Sequence, residues 1–271
     1  TRVGARPTLG APLQRELRRV GVLVPPSAVP GDVWLDARLD FESTAPPGGT
    51  RTAPPSPAST AGRLAARCAV HRGPRVPAAV QPRAVRGEPF LPAENVLWVV
   101  RPESRLAVPY TLTPRLARAL RRTALPPRAA SVLRRVGALE DGRDAAARRR
   151  AAWLEQVSAW RRELRRHGHV VLRGLFELTF LEAVRAYHRR IEREGYLFAG
   201  DRRRRGAPLV YDEPLTSFLN GLLAPLVGRL TGERGTATFS YLRVYDPGAA
   251  LRPHLDRPSC RWNLDLVVGG D

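Results

Sequence analysis

The residues best placed to do chemistry are His254-Leu255-Asp256. On a strand, positions i and i+2 project from the same face, so this imidazole and this carboxylate can reach one ion. Together they supply two thirds of a facial triad of two His and one carboxylate, a set that leaves metal positions open for substrate and O2 and suits Fe(II). The third protein ligand has to come from elsewhere. With five His and 11 Asp in the chain, composition alone gives about 0.2 chance His-x-Asp matches, so the flanking residues decide what the pair means.

Those flanks read Ser240-Tyr-Leu-Arg-Val-Tyr245-Asp-Pro-Gly248-Ala-Ala-Leu251-Arg-Pro-His254-Leu-Asp256-Arg257. Tyr-x-x-Gly followed by His-x-Asp, with nine positions from Tyr245 to His254, resembles the metal-site entry of the Fe(II)/2-oxoglutarate dioxygenases. Pro253 before His254 is similar to the prolyl-4-hydroxylase-like members, and Pro-Gly-Ala after Tyr245 to the AlkB-like ones. Upstream, Gly168-x-Val-Val-Leu-x-Gly174-Leu followed by an amphipathic segment looks like a common entry into that fold, so the resemblance covers about residues 160–271.

The resemblance implies a double-stranded β-helix, a jelly-roll barrel. It implies iron held by His254 and Asp256, 2-oxoglutarate chelating the metal beside them, and Tyr245 contacting that co-substrate. The implied reaction is hydroxylation of a small-molecule or peptidyl substrate coupled to decarboxylation of 2-oxoglutarate. The family's second His and its carboxylate-binding Arg or Lys lie well beyond the His-x-Asp strand, whereas 15 residues follow Asp256 here and His71, His167, His169 and His188 all precede it. The chain is therefore expected to carry an incomplete metal site, to bind iron weakly and not to turn over 2-oxoglutarate by itself. Alternative readings are an AlkB-like nucleic-acid demethylase and a non-enzymatic, basic nucleic-acid-binding protein; a nucleic-acid partner is the less favoured.

Other reactive side chains have plainer readings. Tyr241 is assigned to the core, and His167 and His169 to a helix end and a strand start. Cys260 reads as an incidental buried thiol, Arg202 to Arg205 as a solvated loop, and Arg257 as a candidate substrate contact.

The elements that must position the pair lie in residues 151–271, read as the N-terminal part of a dioxygenase domain. A long Arg-rich helix over 143–166 carries Trp153, Leu154, Val157, Trp160 and Leu164 on one stripe. His169 to Gly174 reads as a strand, and Leu178 to Glu194 as a helix with Phe180, Val184, Tyr187 and Ile191 inward and Gly195 as its stop. A helix from Pro214 to about Leu230 should be kinked or divided by Pro225. Strands are expected over Thr238 to Tyr245 and Trp262 to Val268. The fold class is α+β, a partial jelly-roll with flanking helices behind a small, mainly helical accessory region.

That accessory part divides into a helical and strand unit over 1–42, a Pro/Gly-rich flexible linker over 43–86, and a mainly helical region over 87–150. The last should hold a strand at Asn95 to Val100 and a helix from Pro114 to about Arg122, capped by Thr113. Leu17-Arg-Arg-Val-Gly21-Val-Leu23 and Leu133-Arg-Arg-Val-Gly137-Ala-Leu139 echo each other as a last helical turn with a Gly stop.

The 271 residues carry 45 cations, all Arg, against 25 acids, and there is no Lys. A net charge of +20 suggests a polyanion partner. However, residues 1–150 hold 26 Arg and 11 acids, and residues 151–271 hold 19 Arg and 14 acids, so the excess lies mostly away from the candidate site. A single Ile and abundant Arg, Ala, Pro and Gly also mark a GC-rich coding sequence. With 43% hydrophobic residues a real core is expected and wholesale disorder is excluded. No apolar run is long enough to span a bilayer, and Cys68 and Cys260 form no CxxC pair, which makes a reduced, cytoplasmic setting the expectation. The chain has no Met, so it is read as a fragment open at both ends.

Overall fold

The computed structural model describes residues 35, 37, 69–72, 95–101, 103–121, 125, 127–139, 143–197, 207–251, 253–256, 258, 260 and 261–269. Among these residues the chain is a mixed α+β structure. The expected unit at Leu17–Leu23, Cys68, the Arg202–Arg205 run and Arg257 lie outside them.

Three strands, β1 (Ala69–Arg72), β2 (Asn95–Val100) and β3 (Ala107–Leu112), form an antiparallel sheet in that order. The apolar run of β2 is buried from Val96 onward, and β3 is buried throughout, as continuous apolar strands covered on both faces must be. Pro109 sits in β3 opposite Trp98, and its missing N–H is tolerated because β3 is at the edge of the sheet. One donor on that edge is used: Thr111 N–H donates to the Ala37 carbonyl at 3.0 Å. Leu35 and Ala37 are fully buried there.

β1 lies inside the stretch 43–86 read as a flexible linker, and β3 is an unforeseen second strand beside the one expected at Asn95 to Val100, in a region 87–150 whose other described elements are helices. Surrounding Pro and Gly hide a four-residue strand from any local pattern, and Pro109 breaks the β signature of β3. Pairing with β2 supplies what the local sequence lacks.

Helix α1 (Pro114–Arg121) starts as expected, with Thr113 Oγ1 accepting from Leu116 N–H at 3.3 Å. Helix α2 (Pro127–Arg135) ends at Gly137, whose φ of +80° lets Ala138 N–H reach the Leu133 carbonyl at 2.7 Å, the closure that a left-handed glycine provides. Helix α3 (Arg143–His167) is 25 residues long. Trp160 is buried and stands edge-on to Trp153 at 5.7 Å, whereas Leu154 of the expected stripe is exposed.

His169 to Gly174 is not a strand. Val170 and Leu172 are half-buried, Val171 is exposed, and a turn closes at Arg173 and Gly174 with no strand alongside. β-branched alternation describes such a segment as well as a strand, and only a partner would distinguish them. Helix α4 (Leu178–Arg193) then buries Phe180, Val184, Tyr187 and Ile191 as expected. Its cap residue Glu177 does not cap the helix with its side chain. That carboxylate instead accepts from Arg101, just past β2, at 2.6 Å.

Strand β4 (Leu209–Tyr211) pairs antiparallel with β5 (Tyr241–Arg243), and α5 (Pro214–Thr231) lies between them in sequence. Pro225 does not divide α5. Burial of Leu215, Phe218, Leu219, Leu222, Leu223, Leu226 and Leu230 along this helix outweighs the lost hydrogen bond. α5 packs on α3, and Phe218 meets Trp98 of β2 with ring centres 6.0 Å apart, so one core joins sheet and helices. The expected strand over Thr238 to Tyr245 shrinks to three residues. Trp262 to Val268 pairs with no strand among the described residues: Leu266 and Val268 pack on the core while Val267 is exposed.

Candidate metal centre

The site is built outward from the start of α5. Glu213, the cap residue, accepts from Leu215 N–H and Thr216 N–H, each at 2.9 Å, and from the Tyr187 hydroxyl of α4. It is almost fully buried. Burial pushes its carboxyl pKa up, and the four hydrogen bonds from Tyr187, Leu215 and Thr216 oppose that rise. Burial also raises the Tyr187 hydroxyl. Next to it on α4, His188 is buried with no hydrogen-bond partner at either ring nitrogen, and burial lowers its pKa to about 4. Sequence periodicity places Tyr187 inward; nothing local signals that a carboxylate 26 positions on would meet it.

The half-buried polar face of α5 then fixes the strand that leads to the pair. The Thr216 and Ser217 hydroxyls lie 3.1 and 3.2 Å from the Ser240 hydroxyl, and Asn220 Nδ2 donates to the Phe239 carbonyl at 3.0 Å. Asp212, in the left-handed region at φ +47°, accepts from Ser240 N–H at 2.9 Å, and its own N–H donates to the Ser240 carbonyl at 2.8 Å. Beyond β5 the chain turns at Gly248 (φ +83°), and the segment after the pair is tied back at two points. Trp262 Nε1 donates to Glu233 Oε2 at 3.1 Å, and Arg185 Nε to the Val268 carbonyl at 2.7 Å.

Ahead of those ties, His254 Nε2 and Asp256 Oδ1 face each other at 3.6 Å, with side chains 34% and 33% exposed, while Leu255 is 98% exposed. The other carboxylate oxygen of Asp256 accepts from Asn263 Nδ2, which orients it as outer hydrogen bonds orient metal-binding carboxylates. The spacing of the pair was legible in sequence; Asn263 was not, because only the tertiary fold brings it back. An imidazole and a carboxylate so placed fit two corners of a metal site. Among the described residues no group of three or more His, Cys, Asp or Glu side chains is placed to hold a metal.

Tyr245 is 48% exposed, and its hydroxyl accepts from Arg243 Nη1 at 3.4 Å. The Arg243 guanidinium lies 4.9 Å from the Tyr241 ring centre and 5.9 Å from that of Tyr245. Tyr211, Phe239 and Tyr241 meet with ring centres 5.7 to 6.3 Å apart. Tyr241, assigned to the core from sequence, is instead 36% exposed, because β5 lacks a second sheet over this face. Its hydroxyl pKa is raised first by burial; Arg243 lowers it, while Asp256 and Asp265 raise it. Both carboxylates therefore act on this aromatic surface. The period-two run of Phe239, Tyr241, Arg243 and Tyr245 was the signal for it. Cys260 is half-buried.

No helix among the described residues is long and apolar enough to cross a membrane. No protein-family model, curated protein or solved structure matches the chain.

Proposed function

We propose that residues 151–271 are part of an Fe(II)- and 2-oxoglutarate-dependent oxygenase domain, with β4, β5 and the extended segment at 261–269 contributing to a double-stranded β-helix. The carrying observation is the convergence of His254 and Asp256 at 3.6 Å. Iron with 2-oxoglutarate would supply the oxidising power for hydroxylating a small-molecule or peptidyl substrate. In this chain His254 and Asp256 would hold the metal, Asn263 would keep Asp256 oriented, and Tyr245 would contact the co-substrate.

The test is anaerobic Fe(II) titration with and without 2-oxoglutarate, followed by visible absorption. The native chain is expected to bind iron weakly and to develop a charge-transfer band with 2-oxoglutarate. His254→Ala and Asp256→Ala should each weaken iron binding by about tenfold or more. Equal binding by all three proteins would remove the reading.

The exposed Tyr241, Arg243 and Tyr245 surface favours a second reading, an AlkB-like enzyme or a binding protein for single-stranded nucleic acid, because such rings and guanidinium groups stack on bases. Binding of a single-stranded oligonucleotide that falls steeply with salt and is lost in Tyr241→Ala would favour it over a peptidyl substrate.

A further inference from the structure

A second pair of side chains with metal-ligand chemistry lies at the C-terminal end of α3. His167 is the last residue of that helix and His169 follows one glycine later. Gly168 adopts φ +74°, and its N–H closes the final turn on the Leu164 carbonyl at 2.8 Å. The left-handed glycine folds the chain back so that both imidazoles flank the helix end, exposed, with ring centres 6.1 Å apart. Two imidazoles on one metal, each bonded through nitrogen at about 2.1 Å, have ring centres no more than roughly 6.4 Å apart. The observed separation lies inside that limit, so the rings are close enough for one ion to bridge them once a nitrogen of each turns toward it.

His169 Nδ1 lies 3.2 Å from the His167 carbonyl; a carbonyl only accepts, so in the neutral ring this contact favours the tautomer with the proton on Nδ1 and leaves Nε2 to face a metal. A backbone carbonyl that fixes the tautomer in this way is the usual outer support of a metal-binding His. The helix C-terminus adds the negative end of its dipole. Arg165 and Arg166 of the same turn oppose a cation held by charge alone, which selects ions that bond strongly to imidazole nitrogen.

We propose that His167 and His169 form a surface site for a borderline transition-metal dication. Copper(II) is favoured over nickel(II) and zinc(II), and Mg2+ and Ca2+ are rejected. The two imidazoles are the protein ligands and water fills the remaining positions. This site does not depend on the iron reading of His254 and Asp256.

The test is copper(II) titration of the metal-free full chain by calorimetry, with electron paramagnetic resonance of the loaded protein. One equivalent should bind with nitrogen hyperfine structure from two imidazoles. His167→Ala and His169→Gln should each reduce affinity by about ten- to a hundredfold with an unchanged circular dichroism spectrum. The double variant His254→Ala/Asp256→Ala should keep the site. No copper binding by the native chain, unchanged binding in both His167→Ala and His169→Gln, or loss confined to the His254/Asp256 variant would each overturn the proposal. Failure of the iron reading alone leaves all these outcomes in place.

Discussion

The two sheets use similar residues to opposite ends. In β2 and β3 every residue after Asn95 is buried. β1 covers one edge of β2, the Ala37 backbone contributes a hydrogen bond to β3, and α5 reaches Trp98 through Phe218. β4 and β5 have three residues each, and Tyr241 of β5, with Tyr245 and Leu255 in the segment after it, remains open to solvent. Closed pairing turns apolar alternation into stability. Left open, the same alternation presents rings, a guanidinium and a His–Asp pair on a surface. The candidate His–Asp pair follows the open sheet, carried by a core that the closed sheet shares with the helices.

The largest expected effect tests that division directly. Trp98→Ala should cost about 3–5 kcal/mol in urea denaturation, whereas Leu255→Ala should change stability by less than about 0.5 kcal/mol. Comparable losses would mean that the open region is as tightly packed as the closed one.

A smaller effect concerns pH. The pKa of His188 is about 4 in the folded chain against an ordinary 6.5, so between these values the unfolded chain takes up a proton that the folded chain refuses. Stability should therefore fall as pH drops from 6.5 towards 4, by about 3 kcal/mol in full. Glu213 acts in the opposite sense: its pKa is raised on folding, so its contribution is present below its unfolded value and is lost as pH rises through the folded one. Denaturation at pH 7, 5.5 and 4 should show the His188 slope, and His188→Phe should flatten it. An unchanged slope in that variant would show that another group sets the acid limit.

Helices were the legible part of the sequence because their signals are local. Thr113 and Pro114 open α1, Gly137 and Gly195 stop α2 and α4, and periodicity marks the buried face of α4. Strands were legible only where they are long and apolar, as at Asn95 to Val100. Val170 to Leu172 and Trp262 to Val268 have strand-like residues but no pairing neighbour among the described residues, whereas Ala69–Arg72 pairs despite its Pro- and Gly-rich flanks. At the candidate site, the spacing of His254 and Asp256 needed only the sequence. Asn263, Arg243 over two tyrosine rings, and Glu213 under Tyr187 needed the tertiary fold.

The bonds between Asp212 and Ser240 join residues 28 positions apart, with the whole of α5 between them. β4 and β5 are thus not a local hairpin: bringing their ends together closes a long loop, with an entropic cost that only formation of the intervening helix reduces. The strand that leads to the His–Asp pair is therefore expected to assemble late. In pulse-labelled hydrogen exchange during refolding, the amides of β5 should become protected after those of α5, which gives the candidate site a place in time as well as in space.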